Sequence, residues 1–213
     1  MASLPKAVPA ADIERLLTVS ASSRPTAAGR RDYAILLLLV RLGLRRGEVA
    51  ALALEDIDWR AGELTVHGKS NRVERLPLPA APGEAIAEWL TEGRPRCQSR
   101  SVFTTLRPAG RPLSAGAIGH VVGAACLSAG LDRLGAHRLR HTLATEMLRS
   151  GASLAEVGQV LRHRSARSTA IYAKVDEVAL RPLARPWPSS APGGAAPDAA
   201  DRDLVRPWPG ARS

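Results

Sequence analysis

The sequence predicts a mainly α protein with a small antiparallel β element, an α+β arrangement. Apolar residues recur at helical spacing along most of the chain, as at Ile118, Val121 and Val122. Between residues 64 and 78 the apolar residues instead alternate with polar ones, which is the period of a strand. The 213 residues suit one domain, or one domain plus a tail, and can bury a core without disulfide bonds.

Three helices are expected before the strands. The first covers residues 9–17, where a proline begins the helix and the apolar side chains share one face. The second covers residues 30–42, and its segment 34–40 is apolar nearly all round, which predicts a buried helix. Gly43 interrupts it, and a third helix follows over residues 47–54.

The alternating segment is typical of a β-hairpin. Its strands centre on residues 64–66 and 76–78, and the turn between them is Gly-Lys-Ser-Asn at residues 68–71. Pro77 and Pro79 keep the second strand at an edge of the sheet or end it early, because proline cannot donate a hydrogen bond to a neighbouring strand.

The rest of the domain is expected to be helical, apart from one short strand over residues 101–104. The expected helices cover residues 82–92, 114–129, 137–149, 153–162 and 169–180. Ser153 and Glu156 form a capping box at the start of one of them. Residues 182–213 are rich in proline, glycine and alanine and contain Arg-Pro-Trp-Pro twice, which predicts a disordered tail.

The formal net charge of +10 indicates a polyanionic partner, with nucleic acid ahead of an anionic membrane. No apolar run is long enough for a membrane span, and no secretory signal opens the sequence. Cys97 and Cys126 lack metal-ligand spacing and are interpreted as free thiols of a reducing compartment. Collagen-like, disulfide-rich secreted, transmembrane and wholly disordered classes are thereby excluded, and a cytoplasmic location is expected.

The segment His-Arg-Leu-Arg-His at residues 137–141 has the clearest chemical signature. On a helix, His137 and Arg140 share a face, where the arginine can grip two oxygens of an oxyanion and the histidine can exchange a proton. His137 and His141 also have the spacing of a zinc-binding helix. The intervening arginines would repel a divalent cation, and no third ligand is evident, so the segment predicts an oxyanion site without metal.

Two basic residues upstream are candidates for the same site. Arg45 stands at the start of an expected helix, where backbone N–H groups also attract anions. Lys69 stands at the tip of the expected hairpin, from which a flexible ammonium group can reach into a groove.

Tyr172 follows His163 by nine residues in a basic segment. On one straight helix these two side chains would point in opposite directions, so a shared site needs a break after His163. Ser165 is a candidate N-cap for a new helix at that break. Nearby cations would favour the phenolate of Tyr172, which is the form that attacks as a nucleophile.

Taken together, these segments resemble the tyrosine recombinase, or phage integrase, family. The family's Gly-Leu-Arg-x-(Ser/Gly)-Glu segment is matched at residues 43–48, and its glycine and hairpin lysine are matched at residues 68–69. The family's His-x-Leu-Arg-His is matched at residues 137–141. Its later histidine, followed nine residues on by the tyrosine, is matched by His163 and Tyr172, so all four blocks occur in the family's order.

The resemblance implies a catalytic domain of this family over residues 1–181 and a role in DNA recombination and integration. It implies that Tyr172 attacks a DNA phosphate to form a 3′-phosphotyrosine, with no cofactor and no metal. Arg45 and Arg140 would then clamp the nonbridging oxygens, and Lys69 would protonate the leaving 5′-oxygen.

The two histidines complete the implied site. His137 would assist proton transfer, and His163 would hydrogen-bond the phosphate. The implied partner is double-stranded DNA, on which the chain would form a homo-oligomer, a synaptic tetramer, at the bacterial nucleoid.

The sequence departs from the family pattern in two respects. Arg162 replaces the glycine of the family's Leu-Gly-His, which adds charge without expected harm. The family's amino-terminal DNA-binding domain is expected to be absent, so a non-recombining DNA-binding remnant is the alternative function. His67 and His120 lie outside every motif and are interpreted as ordinary strand or surface residues.

Overall fold

The computed structural model describes residues 7–68 and 72–162 of the chain. The α-helices in these ranges are α1 Ala10–Ser22, α2 Ala27–Arg41, α3 Arg46–Ala51, α4 Ala80–Glu88, α5 Ala115–Ser128, α6 Ala136–Arg149 and α7 Leu154–Val160. The strands are β1 Ile57–Asp58, β2 Glu63–His67, β3 Val73–Pro77, β4 Thr104–Leu106 and β5 Ala109–Pro112. The predicted mainly α fold with small antiparallel sheets is confirmed. The expected helix over residues 169–180 and the tail over residues 182–213 lie outside the described residues.

Helix α2 runs through the centre of the main core. Every residue from 34 to 40 is buried, as its continuous apolar run predicts. The helix contacts α1, α3, α4, α5 and α6. It begins earlier than expected because Thr26 caps it, accepting a hydrogen bond from the Gly29 N–H at 2.9 Å. None of the described helices is long and apolar enough to cross a membrane.

The predicted hairpin is confirmed as part of a three-stranded antiparallel sheet in the order β1-β2-β3. Leu64 pairs with Leu76, and Leu64 and Val66 point into the core while their neighbours do not. Pro77 ends β3, which pairs with β2 alone among the described strands. Strand β1 is too short to have been recognised from alternation, and the turn residues 69–71 lie outside the described part of the chain.

The strand expected over residues 101–104 was wrong in its bounds and lacked its partner. Ser101 makes only an isolated bridge to Ala53, and the second hairpin instead pairs β4 with β5. Strand β5 contains Gly110 at φ 82°, beside Pro112, and both residue types are depleted in strands. These two residues hid the hairpin from pattern analysis.

Three helix ends differ from expectation for identifiable reasons. Helix α1 continues to Ser22, where the Ser20 hydroxyl donates back to the Leu16 carbonyl. Helix α3 ends at Ala51, because Asp56 accepts from the Ala53 N–H at 2.8 Å and caps a separate 3-10 turn, Leu54–Asp56. The third difference is α4, which ends at Glu88 and passes into a single π-helical turn, Trp89–Gly93.

A second, smaller core joins α6 to α7. It is formed by Ala144, Leu148, Val157 and Leu161. The capping box expected at the start of α7 is confirmed: Ser153 Oγ accepts from the Glu156 N–H at 3.2 Å, and Glu156 Oε2 accepts from the Ser153 N–H at 2.7 Å. Gly43 packs against this core from the α2–α3 loop.

Candidate active site

One cleft of about 820 Å³ lies among α3, the β2–β3 hairpin and α6. It brings together three residues predicted from two separate motifs, Arg45 from the first and His137 and Arg140 from the second. The charged and histidine side chains that line it are Arg45, Arg46, Arg72, Arg140, Arg162, Glu48, Glu74, His67 and His137. Five arginines against two glutamates make the cleft positive, which suits an anionic substrate.

Glu48 holds the Arg45 side chain at the N-terminus of α3. The Arg45 backbone N–H donates to Glu48 Oε2 at 2.8 Å, and its Nη1 donates to Glu48 Oε1 at 2.6 Å. The Arg45 side chain is 44% exposed, whereas the Glu48 side chain is only 6% exposed. A guanidinium has five N–H donors, so this contact orients Arg45 and leaves donors facing the cleft.

Glu48 stays charged in spite of its burial. Burial, the largest single influence, would raise the pKa of this carboxyl. The hydrogen bond from the Arg45 N–H and the positive charges of Arg162 and Arg45 outweigh it, so the pKa lies below its ordinary value. Glu48 is therefore charged at neutral pH and is a fixed anchor for the arginines around it.

Arg140 reaches the cleft from α6 and is only 3% exposed. Its Nη1 donates to the carbonyl of Gly43, in the loop that leads to Arg45. Because Gly43 is only two residues before Arg45, this hydrogen bond ties Arg140 to the backbone that carries the other predicted clamp arginine. Each guanidinium is thus oriented by a fixed acceptor, as recognition of a phosphate oxygen requires.

His137 and His141 form a pair on the same face of α6. Their Nε2 atoms are 2.8 Å apart, and the rings are nearly perpendicular with centroids 4.3 Å apart. Burial is the main reason that the pKa of each lies below its ordinary value, and the charge of Arg140 acts in the same direction on both. At neutral pH both rings are therefore uncharged, and one donates its N–H to the other.

His67 is an exposed strand residue, as interpreted, at the end of β2, and it also belongs to the lining of the cleft. Its Nε2 lies 2.7 Å from Oδ1 of Asp56, a carboxylate that is 7% exposed. The Asp56 carboxylate is itself fixed by the Ala53 N–H. The one sequence signal for this residue was its position directly before the Gly-Lys turn of the hairpin.

Arg162 also lines the cleft, and it has the most unusual backbone there. At φ 53° it is the single non-glycine residue with positive φ in the described ranges. Its Nη2 lies 2.8 Å from Glu48 Oε2, and its Nε lies 3.6 Å from Glu74 Oε2. The expectation that this arginine merely adds charge missed these contacts.

Lys69, His163 and Tyr172 lie outside the described residues. The described residues next to Lys69 and His163 in the chain are Gly68 and Arg162, and both line the cleft. No group of three or more His, Cys, Asp or Glu residues that could hold a metal ion occurs within residues 7–68 and 72–162. The other tyrosine, Tyr33, packs against the main core, with the Arg24 guanidinium 5.2 Å from its ring centroid.

The phage integrase family model matches residues 6–178. Putative integrase/recombinase y4rA of Sinorhizobium fredii is 50% identical over 194 residues, which are 90% of this chain and 47% of that protein. Putative integrase/recombinase y4gC of the same organism is 40% identical, over 81% of this chain and 91% of that protein. Tyrosine recombinase XerC of Bacillus subtilis is 32% identical, over 84% and 60%. The chain thus spans about half the length of y4rA.

Solved structures share the fold. The crystal structure of XerA recombinase superimposes with a TM-score of 0.70 at 24% identity, covering 85% of this chain and 63% of that one. XerH recombinase, bound to its palindromic difH substrate in a post-cleavage complex, gives 0.71 at 24% identity, covering 85% and 53%. The family model and the relatives thus identify the family, and the solved structures show the same fold.

Proposed function

The chain belongs to the phage integrase family, and on that premise we propose that it is a site-specific recombinase that cleaves and rejoins DNA through a 3′-phosphotyrosine. The observation that carries the proposal is the positive cleft in which Arg45, His137 and Arg140 converge. Two arginines with fixed orientation and a neutral histidine suit transfer of a phosphoryl group. The similarity to proteins named integrase/recombinase and tyrosine recombinase supports it.

In the proposed reaction Tyr172 Oη attacks the scissile phosphorus. The bond from phosphorus to the 5′-oxygen breaks as the tyrosine–phosphorus bond forms, and Lys69 donates a proton to the leaving 5′-oxygen. The covalent intermediate retains the energy of the phosphodiester, so no nucleoside triphosphate is consumed. A 5′-hydroxyl of another strand then reverses the same step and rejoins the DNA.

The cleft residues stabilise the charge that develops on the phosphate. Arg45 and Arg140 donate to its nonbridging oxygens, and loss of one such donor costs about 3–4 kcal/mol in the barrier. His137 assists removal of the tyrosine proton, a role that its lowered pKa supports because the neutral ring can accept a proton. His163 hydrogen-bonds the phosphate.

The proposed partner is double-stranded DNA, bound by a homo-oligomer that becomes a tetramer at synapsis. XerH was solved on its difH substrate, and lambda integrase was solved as a dimer on a core site, which supports DNA binding and the formation of a homo-oligomer. The proposed catalytic domain spans residues 1–181, and the proposed place of action is the cytoplasm, at the nucleoid.

A DNA-binding remnant without recombinase activity is the second candidate, and it is less well supported. Arg45, His137 and Arg140 keep a common cleft with ordered hydrogen bonds, which binding alone does not require. The chain also matches 91% of y4gC, which carries the name putative integrase/recombinase.

The proposal is tested by looking for the covalent intermediate. The full chain is incubated in EDTA with a pool of nicked duplexes from its host locus, from which a cleaved end can diffuse away, and SDS-resistant protein–DNA adducts are sought. We expect an adduct with the parent chain and with Tyr33→Phe, and none with Tyr172→Phe. An adduct that survives Tyr172→Phe contradicts the proposed nucleophile, and salt-sensitive binding with no adduct favours the remnant.

A further inference from the structure

The backbone at Arg162 indicates that its side chain has a role in the cleft. A non-glycine residue at φ 53° is strained, because its Cβ approaches the following carbonyl oxygen. Such residues persist where surrounding contacts hold them, and they concentrate at functional sites. The contacts that hold Arg162 are therefore the place to look for its role.

The Arg162 side chain is 5% exposed and joins three elements. It leaves the end of α7 and contacts Glu48 of α3 at 2.8 Å and Glu74 of β3 at 3.6 Å. A buried guanidinium is tolerated when it is paired, and here one cation balances parts of two carboxylates. The cation thereby fastens the hairpin to the helix that carries the Arg45 anchor.

Charge gives this contact its consequence for an anionic substrate. Glu48 and Glu74 both line the cleft, where an unbalanced carboxylate would repel a phosphate. Glu48 also accepts two hydrogen bonds from Arg45. If Glu48 paired with Arg45 alone, the carboxylate would cancel most of the positive charge of Arg45. Sharing Glu48 with Arg162 leaves Arg45 more of its positive potential.

We propose that Arg162 is a positioning residue of the cleft: it neutralises Glu74 and shares Glu48 with Arg45, so that the clamp arginine keeps its charge for a DNA phosphate. The effect on cleavage rests on the proposed recombinase function. The charge coupling between Arg162 and Glu74 does not, and it can be measured without DNA.

Four variants of the full chain separate charge from mere packing: Arg162→Met, Arg162→Lys, Glu74→Gln and the double variant Arg162→Met/Glu74→Gln. The first readout is the rate of adduct formation at saturating protein on a nicked duplex from the pool that forms an adduct with the parent chain. We expect Arg162→Met to be slower by about tenfold or more, as befits loss of a buried charge beside the clamp. Arg162→Lys should recover most of that loss, and Glu74→Gln supplies the second single change from which the coupling is calculated.

The double variant is the decisive one. If Arg162 acts by neutralising Glu74, removing that carboxylate should restore at least about threefold of the rate lost in Arg162→Met, because the two residues are coupled. Arg162→Met within about twofold of the parent rate, or a double variant no faster than Arg162→Met, overturns the proposal.

Two further measurements keep the inference distinct from the proposed function. Urea unfolding of the same four variants gives the coupling between Arg162 and Glu74, and binding to a random-sequence duplex gives the loss of affinity in Arg162→Met. If the parent chain forms no adduct on any DNA, the recombinase proposal fails, but these two measurements still test the proposed role of Arg162. Additive unfolding energies together with unchanged duplex affinity overturn it, and if Arg162→Met does not fold, Arg162→Gly takes its place in every comparison.

Discussion

Glu48 is the residue on which the geometry of the cleft depends most directly. It accepts two hydrogen bonds from Arg45 and pairs with Arg162, although its side chain is only 6% exposed. If the buried carboxylate loses its charge, water cannot take its place as a partner of the two arginines. Changes of a single charge should therefore have their largest effects here.

We expect Glu48→Gln to lower the free energy of unfolding by about 1–3 kcal/mol, because an amide no longer balances two arginines. Urea denaturation measures the change. Glu55→Gln is the matched control, since Glu55 is 57% exposed and pairs with an exposed Arg100 at 3.3 Å. That variant should lose less than about 1 kcal/mol. Equal losses in the two variants would contradict a special role for Glu48.

The histidine pair predicts how stability depends on pH. Burial lowers the pKa of His137 and His141 below the ordinary value of about 6.5, so just below that value the unfolded chain binds protons that the folded chain does not. The free energy of unfolding should therefore fall as pH falls from about 7.5 to about 5.5. The loss should shrink in His141→Gln and persist in His120→Gln, a change of an exposed histidine on α5. Stability that rises over this interval would rule the explanation out.

Sequence motifs predicted the convergence of Arg45, His137 and Arg140, because each motif couples a residue type to a helix start or a helix face. They did not predict His67 or Arg162. The partners of these two residues, Asp56 and Glu74, come from strands and turns whose registry is a tertiary property. Isolated residues thus become recognisable only when the fold has put their partners beside them.

At the scale of elements, the α2–α3 loop packs closely against the second core. Gly43 adopts φ 58°, and a Cβ added there would lie 2.9 Å from Cδ2 of both Leu143 and Leu161. The same residue supplies the carbonyl that holds Arg140. Backbone conformation, packing of the second core and orientation of Arg140 therefore depend on one position.

We expect Gly43→Ala to lower the free energy of unfolding by about 2–4 kcal/mol, combining backbone strain with overpacking. Gly130→Ala isolates the backbone contribution, because Gly130 has φ 63° and nothing within 4 Å of the added Cβ. Its loss should be about 1–2 kcal/mol. Urea denaturation compares the two, and equal losses would show that the leucines yield without cost. Adduct formation should fall in Gly43→Ala alone.

Periodicity predicted the elements with long, regular patterns and missed the short ones. Helices α5 and α6 lie within one residue of their expected bounds, because Ser114 caps the first and an apolar stripe runs through each. The β4–β5 hairpin has too few residues to establish a period. The π-helical turn after α4 is only five residues long, which is likewise too short to establish a period.

At the scale of the whole molecule, positive charge is both general and local. The chain carries +10, and the cleft concentrates five arginines around two carboxylates. Binding of a polyanion to such a surface releases counterions, so its strength reports how many phosphates are neutralised. Salt dependence is therefore the property that connects total charge with the cleft.

We expect the logarithm of the binding constant for duplex DNA to fall with the logarithm of salt concentration with a slope steeper than about −2.7, if Arg45, Arg72 and Arg140 each neutralise one phosphate. Arg72→Ala should make the slope shallower by about 0.9. Arg15→Ala, on α1 outside the cleft and paired with Asp12, should leave it unchanged. Fluorescence anisotropy titrations measure all three, and a flat response would contradict DNA binding.

The buried helix α2 also has a consequence for synthesis of the chain on the ribosome. Its apolar run is complete when residue 41 has been made, but α6, one of the helices that covers it, ends at Arg149. At a synthesis rate of about 5–20 residues per second, roughly 5–20 s pass before the ribosome has completed α6, the last of these helices. During that interval the nascent chain exposes an apolar segment that chaperones and other nascent chains can bind. The yield of folded protein should therefore depend on the supply of chaperones more than the stability of the finished fold suggests.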